Sequence, residues 1–290
     1  MDYVFLTDAS CDMPVELIQE IGLDVIPMEF TMEDKSYLHY HDARMMSLDE
    51  FYSKLKSGVR STTSQVNYNT FCTYFEQYLK AGKDVLYTGI ASGISGTYNT
   101  SLMAINDLKK KYPDRKIISI DSTCDSLGLA LLLYICGQKY KDGCSIEELE
   151  NAINEVKVTV CHWYVVDDLE HLKRGGRISA VTATFGKALQ IKPLLSVNAT
   201  GGLINVAKIR GASNVINNLI NRYDEDAINP KENIVFIAHA DNKEGVLEMQ
   251  KRMKSKCKKC YICDIGPIIG SHVGAGLLAI TFTGKRNLSE

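Results

Sequence analysis

The stretch Asp84-Val85-Leu86-Tyr87-Thr88-Gly89-Ile90-Ala91-Ser92-Gly93-Ile94-Ser95-Gly96-Thr97 decides how this chain is read. Residues 84–90 have the length and apolar content of a buried strand, and residues 98–111 carry Leu102, Ile105 and Leu108 on one helical stripe. A loop rich in glycine and serine therefore joins a strand's carboxyl end to a helix's amino end. Such an end offers free N–H groups and a partial positive charge, which suit an anion. Ser92, Ser95 and Thr97 add neutral hydroxyl donors, and the loop holds no lysine or arginine. The Gly-Lys-Ser/Thr of a phosphate-binding P-loop is missing, so a singly charged carboxylate fits better than a polyphosphate. The same residues also read as an ordinary helix start, with glycines serving the turn.

Outward from this unit the alternation repeats. Residues 3–7 read as a first strand, after which Asp12 caps a helix with Pro14 in its first turn and Gly22 at its end. A second strand is expected at 25–30. Ser47-Leu48-Asp49-Glu50 is a capping box and opens a helix that stops at Gly58. The polar stretch Arg60-Ser61-Thr62-Thr63-Ser64-Gln65 connects to a helix at 68–81, closed by Gly82. A strand at 116–120 ends at Asp121-Ser122, and helices follow at 126–141 and 145–156. This order predicts a mostly parallel, Rossmann-like sheet with helices on both faces. Ligands in such sheets bind beyond the strands' carboxyl ends, where Thr7-Asp8, Ser92 with Ser95, and Asp121-Ser122 all lie. Asp8 and Asp121 read equally well as loop caps.

The second half is patterned differently. A strand at 159–166 leads to a short helix at 167–174, ended by Gly175-Gly176, and to a helix at 182–189. Strands at 191–197 and 203–208 flank Asn198-Ala199-Thr200-Gly201-Gly202 as a hairpin. A helix at 212–223, a strand at 234–239, a helix at 243–257 and strands at 261–265 and 277–282 complete the order. The expected architecture is α/β in two domains: an N-terminal domain over 1–158 and a C-terminal mixed-sheet domain over 159–290.

The chain has 290 residues, is 45% hydrophobic and carries a net charge of −2. It is long enough for two cores, and its charge balance shows no nucleic-acid footprint. No apolar run is long enough to cross a membrane, and Met1-Asp2-Tyr3 leads almost directly into a strand, without the basic and apolar regions of a signal peptide. Nine cysteines, an odd number, lie scattered through patterned elements. They suit reduced thiols in a cytoplasmic protein better than a disulfide framework.

Other constellations point less far. Gly270-Ser271-His272-Val273-Gly274 places a histidine between glycines in a late loop, which reads as a solvated surface residue, although the glycines permit close approach of the backbone to a partner. Ser95, His272 and Asp8 together would make a hydrolase triad. The nucleophile elbow needs Gly-x-Ser-x-Gly, but Gly93-Ile94-Ser95-Gly96-Thr97 ends in threonine. Cys257, Cys260 and Cys263 have the gaps of a metal knuckle but run from helix into strand with no histidine near, so they read as inert thiols. The run of lysines and arginine from Lys251 to Lys259 reads as a solvated helix face. Lys173-Arg174-Gly175-Gly176-Arg177-Ile178-Ser179 is a tight basic loop suited to an acidic partner or phosphate.

Taken together the motifs resemble the DegV family of fatty-acid-binding proteins. The matching stretches are Thr7-Asp8-Ala9-Ser10-Cys11-Asp12, Thr63-Ser64-Gln65, Ser92-Gly93-Ile94-Ser95-Gly96-Thr97-Tyr98, Asp121-Ser122, residues 172–179, Ile191-Lys192-Pro193 and residues 270–274. They follow the family's order and span nearly the whole chain. Val66 departs from the proline common after Thr63-Ser64-Gln65, and residues 28–46 match poorly.

The resemblance implies a long-chain fatty acid buried between two α/β domains, its carboxylate held by Thr63, Ser95 and His272. Asp8, Ser64, Ser92, Gly96, Thr97, Asp121 and Ser122 are expected to support that pocket. The resemblance further implies a carrier with no chemistry and no cofactor or metal of its own. Such a carrier presents its fatty acid to a separate fatty acid kinase for acyl-phosphate formation, docking it through Arg177 and Arg210, whose side chains are expected to face solvent. An acyl hydrolase or transferase using Ser95 with His272 is the alternative.

Overall fold

The structure is a computed structural model that describes residues 2–167, 169–178 and 191–286. The helix expected at 182–189, and Ser179 of the basic loop, lie outside the described residues. The first half contains β1 (Tyr3–Asp8), α1 (Val15–Ile21), β2 (Asp24–Ile26), β3 (Met28–Met32), β4 (Lys35–His39), α2 (Leu48–Lys56) and β5 (Ser61–Ser64). It continues through α3 (Tyr68–Lys80), β6 (Asp84–Gly89), α4 (Thr97–Lys111), β7 (Ile117–Asp121), α5 (Ser126–Lys141) and α6 (Ile146–Lys157). The second half contains β8 (Val160–Val165), α7 (Glu170–Arg174), β9 (Ile191–Val197), β10 (Leu203–Arg210), α8 (Val215–Asp226), β11 (Ile234–His239), α9 (Lys243–Met253), β12 (Lys259–Asp264), α10 (Pro267–Val273) and β13 (Leu278–Thr283).

Among the described residues these strands form three sheets. A four-stranded sheet in the order β2-β1-β6-β7 is parallel throughout, as the alternation of strands and helices predicts. A six-stranded sheet in the order β10-β9-β8-β13-β11-β12 is mixed, with β11 and β12 its parallel pair. The third sheet, β4-β3-β5, is antiparallel and has three strands. It corrects two expectations. The single strand expected at 25–30 is two strands, because Pro27 lacks an N–H and interrupts the ladder between β2 and β3. The polar stretch after Gly58 is not a loop. Its residues Ser61–Ser64 pair with β3, so that Thr63 lies opposite Phe30.

Helix α5 joins the two halves. It is apolar all round, and Leu129, Leu131, Leu132 and Leu133 are fully buried, as expected of a helix covered on every side. It packs on α1 and α6 and also on β8, β11 and β13 of the mixed sheet. One continuous apolar core therefore runs from Phe5 and Tyr87 through Leu131 to Phe236. Strands before and after residue 158 fall in different sheets, yet the halves share this layer.

Asp12 fastens the same junction. It does not cap α1, whose first turn begins after Pro14 with no side-chain cap. Its carboxylate instead accepts from the Gly266 N–H at 2.8 Å and from the Ser126 hydroxyl at 2.6 Å. It thus ties the loop after β1 to the starts of α10 and α5. Burial pushes its pKa up to about 7 despite those two donors.

Candidate functional site

A cavity lies between the loop after β6, the small antiparallel sheet and the mixed sheet. Its walls come from β3, β5, α5, α10, β8 and β13 and from the loop after β6. Apolar side chains such as Ile90, Leu127, Leu172, Ile268, Val273 and Leu277 dominate them. Thr63, Ser95 and His272 all face this one space.

Each is placed by its local chain. Thr63 sits on β5, where half-buried and exposed residues alternate and Thr63 is turned inward. Ser95 lies just before α4, whose first residue is Thr97, and its hydroxyl accepts from the Thr97 N–H at 3.3 Å and shares a 2.9 Å bond with the Thr97 hydroxyl. His272 is not in a loop. It occupies the last turn of α10, which starts at Pro267 and ends at Gly274 with φ +71°. Gly270, which read as loop punctuation, lies within α10, and glycine is needed there because a Cβ would stand 2.8 Å from both the Phe51 ring and the Tyr52 hydroxyl.

His272 Nε2 lies 2.8 Å from the Thr63 hydroxyl. Its Nδ1 is buried and meets no protein partner among the described residues. Burial first, then the Arg177 guanidinium and His171, hold its pKa down to about 4. The ring is therefore neutral at neutral pH and has one N–H to donate. Gly175 makes room for it, since a Cβ at that position would lie 2.2 Å from His272 Nδ1. The same loop brings in Arg177, whose Nε donates to the Ile94 carbonyl at 3.1 Å and whose Nη1 donates to the Gly175 carbonyl. Arg177 is half-buried and lines the cavity, and burial lowers its pKa. This corrects the solvent-facing placement expected for it. Arg210, at the end of β10, is exposed as expected.

The supporting residues divide. Ser64 lines the cavity, as does Gln65, which sequence reasoning missed as a site residue. Asp8, Ser92, Gly96, Thr97, Asp121 and Ser122 brace the walls from behind. The fully buried Asp8 carboxylate accepts from the Ser10 and Ile90 N–H groups at 3.0 Å and from the Tyr87 hydroxyl at 2.6 Å, and also from the Ser10 hydroxyl. Asp121 holds the Ser92 N–H at 3.1 Å and the Ser92 hydroxyl. Ser122 closes its own turn by accepting from the Cys124 N–H at 3.0 Å. Thr97 accepts from the Val66 N–H at 3.4 Å, and Gly96 leaves space for the Gln65 amide. A hydrolase triad is not assembled, because His272 bonds Thr63 rather than Ser95 and Asp8 is occupied elsewhere. Cys257 and Cys260 are hydrogen-bonded neighbours, whereas Cys263 is buried near Cys11 and Asp12. No group of three metal-ligating side chains occurs among the described residues. No helix among them is long and apolar enough to cross a membrane.

Thr63, Arg177 and His272 also line a second depression that includes Arg60, Arg174 and Ser271. The polar end of the cavity is thus shared with a basic depression.

Fold and site together define an α/β protein with an apolar chamber between its sheets, whose polar end carries hydroxyls, a neutral imidazole and one guanidinium. A family model described as an uncharacterised protein of the DegV family matches residues 4–285. The chain belongs to the DegV family. It is 38% identical to a DegV domain-containing protein of Clostridium perfringens over 284 residues, 97% of each chain. Among solved structures, it resembles DegV of Bacillus subtilis, described as a fatty-acid-binding protein, with a TM-score of 0.85 and 26% identity over 98% of this chain and 100% of the other. It likewise resembles a lipid-binding DegV protein of Thermotoga maritima, with a TM-score of 0.85 and 25% identity over 98% of this chain and 99% of the other.

A pH titration tests the head-group chemistry. In lipid-free protein the His272 ring should stay neutral down to about pH 4. An unfolded chain takes up that proton near 6.5. Because the folded value is depressed, His272 costs stability as pH falls from about 6.5 towards 4 and nothing above it. A bound carboxylate favours the imidazolium, so loading with an acid should raise the value. Imidazole NMR, assigned with His272→Gln, reads this; titration near 6.5 in empty protein contradicts the buried placement.

Proposed function

We propose that this protein binds a long-chain fatty acid in the cavity between its sheets. Thr63, Ser95 and His272 hold the carboxylate, with Arg177 beside them. The convergence of those three side chains on one space lined mostly by apolar groups is the observation that carries this reading. Burying roughly fourteen methylenes at about 0.8 kcal/mol each contributes about 11 kcal/mol before the costs of binding. The tail supplies most of the affinity, and the head group sets direction and register. Fatty-acid binding by the Bacillus subtilis relative supports the same reading.

The protein acts as a carrier, with the chemistry done elsewhere. A fatty acid kinase takes up the presented acid and forms the acyl-phosphate, a step that feeds phospholipid metabolism in the cytoplasm. The shared basic depression supports presentation. A carboxylate at Thr63 and His272 would sit beside Arg60 and Arg174, where a phosphate donor finds cations.

Purified protein should release a stoichiometric, intact acyl chain on denaturation, read by mass spectrometry. Ser95→Ala should weaken retention about tenfold to a hundredfold, as loss of a hydrogen bond to a charged group implies, with thermal unfolding of the lipid-free protein nearly unchanged. Equal retention by both proteins, or turnover of an acyl ester, overturns the reading.

A further inference from the structure

Cys257 and Cys260 lie outside the fatty-acid cavity and line a separate surface depression that shares no residue with it. Helix α9 ends at Met253 and β12 begins at Lys259, so Cys257-Lys258-Lys259-Cys260 carries the chain from one into the other. The turn is pinned along its length. The Cys257 thiol donates to the Met253 carbonyl at 3.4 Å, the Lys258 N–H donates to the Asn233 carbonyl at 3.0 Å, and Cys260 pairs with Val235 in the ladder to β11. Both thiols are free and only half-buried. Cys263 does not join them. It faces the core shared with α5, whereas Cys257 and Cys260 pack against the core of α8 and α9 on the other face of β12.

The two sulfurs are unequal. The Cys260 thiol hydrogen-bonds the Cys257 sulfur, and this bond, with the Lys259 N–H and the Lys231 ammonium, outweighs burial and lowers the pKa of Cys257. The same bond, then burial, raises that of Cys260. One thiol is thus suited to attack and its neighbour to resolve, the arrangement of redox-active pairs. Cys11, Cys124, Cys136, Cys161 and Cys263 are the opposite case, with thiols pushed up by burial. Lys251, Lys254, Lys258 and Lys259 line the depression with the two cysteines, and no acidic residue does. Lys258 has Glu232 at 3.6 Å outside it. A negatively charged reagent therefore matches this surface better than a positively charged one.

We propose that Cys257 and Cys260 form a reversible redox dithiol that is oxidised by an anionic low-molecular-weight disulfide, with Cys257 as nucleophile and Cys260 as resolving thiol. The Cys257 thiolate attacks one sulfur of the small disulfide. A mixed disulfide forms on Cys257, the reagent's S–S bond breaks and one thiolate leaves, taking the Cys260 proton. Cys260 then attacks the Cys257 sulfur, the Cys257–Cys260 bond forms and the second small thiolate leaves. In sum two protein thiols are oxidised and one small disulfide is reduced to two thiols, which carry away the two protons.

The test incubates reduced full-length protein with glutathione disulfide, which is net negative, and separately with cystamine, which is net positive. Glutathione disulfide should give a protein lighter by two hydrogens, its link mapped to Cys257 and Cys260 by mass spectrometry and reversed by dithiothreitol. Its rate should fall about tenfold as ionic strength rises, whereas that of cystamine should rise. Cys260→Ser should stop at the mixed disulfide on Cys257, and Cys257→Ser should slow the reaction of Cys260 about tenfold or more. A mixed disulfide that persists in the wild type, a link mapped to other cysteines, the same salt dependence for both reagents, or protein that stays reduced each overturns the proposal.

Discussion

Gly175→Ala should cost about a hundredfold or more in fatty-acid retention, the size of losing a charge-assisted hydrogen bond together with its neighbour's alignment. The backbone at Gly175 is right-handed helical, with φ −72°, so alanine is tolerated there without strain. The difficulty is space. The new methyl group would stand 2.2 Å from His272 Nδ1 and 3.0 Å from Cε1, with the His171 carbonyl at 3.4 Å on another side. The ring must rotate or the turn must retreat. Either movement breaks the 2.8 Å contact to Thr63 or draws Arg177 away from the Ile94 carbonyl. The loss should therefore run through His272. In a double-mutant cycle, His272→Ala should cost far less in the Gly175→Ala background than in the wild type, because coupled positions are not additive. Thermal unfolding of lipid-free protein should fall only slightly. Fully additive losses would place Gly175 outside the head-group site.

The Ser95 loop was legible because strand, loop and helix each announce themselves. Residues 84–90 are apolar enough for only one burial state, and the stripe of Leu102, Ile105 and Leu108 orients the helix that follows. What failed to read was structure that depends on partners. Ser61–Ser64 has neither apolar residues nor length, and it is a strand because β3 lies beside it. Gly270 looked like a break, but the need for contact with Phe51 and Tyr52 outweighs its poor helix propensity. Asp12 has the position of a helix cap, yet its carboxylate satisfies donors about 114 and 254 residues further along the chain, which no local pattern shows.

The two arginines assigned to kinase docking should separate from one another. Both were expected to face solvent, but only Arg210 does, while Arg177 lies half-buried between the Ile94 carbonyl and the Gly175 turn. Arg177→Ala would remove the positive charge nearest the head group and the strut that joins the Ser95 loop to the Gly175 turn. Loss of an interaction with a partly buried charge should reduce lipid retention about tenfold or more. Arg210→Ala touches neither cavity nor head group, so its lipid content should match wild type. If a cognate kinase docks on that surface, Arg210→Ala should slow acyl-phosphate formation several-fold at low salt, because rim charges mainly steer association. That defect should shrink as ionic strength rises, since screening already weakens the wild-type encounter. The Arg177→Ala defect, carried by a partly buried contact, should persist in salt. Kinase turnover against carrier concentration at two ionic strengths, alongside lipid content by mass spectrometry, separates them. Full lipid retention by Arg177→Ala returns that residue to the docking surface, and unchanged turnover by Arg210→Ala removes the second arginine from it.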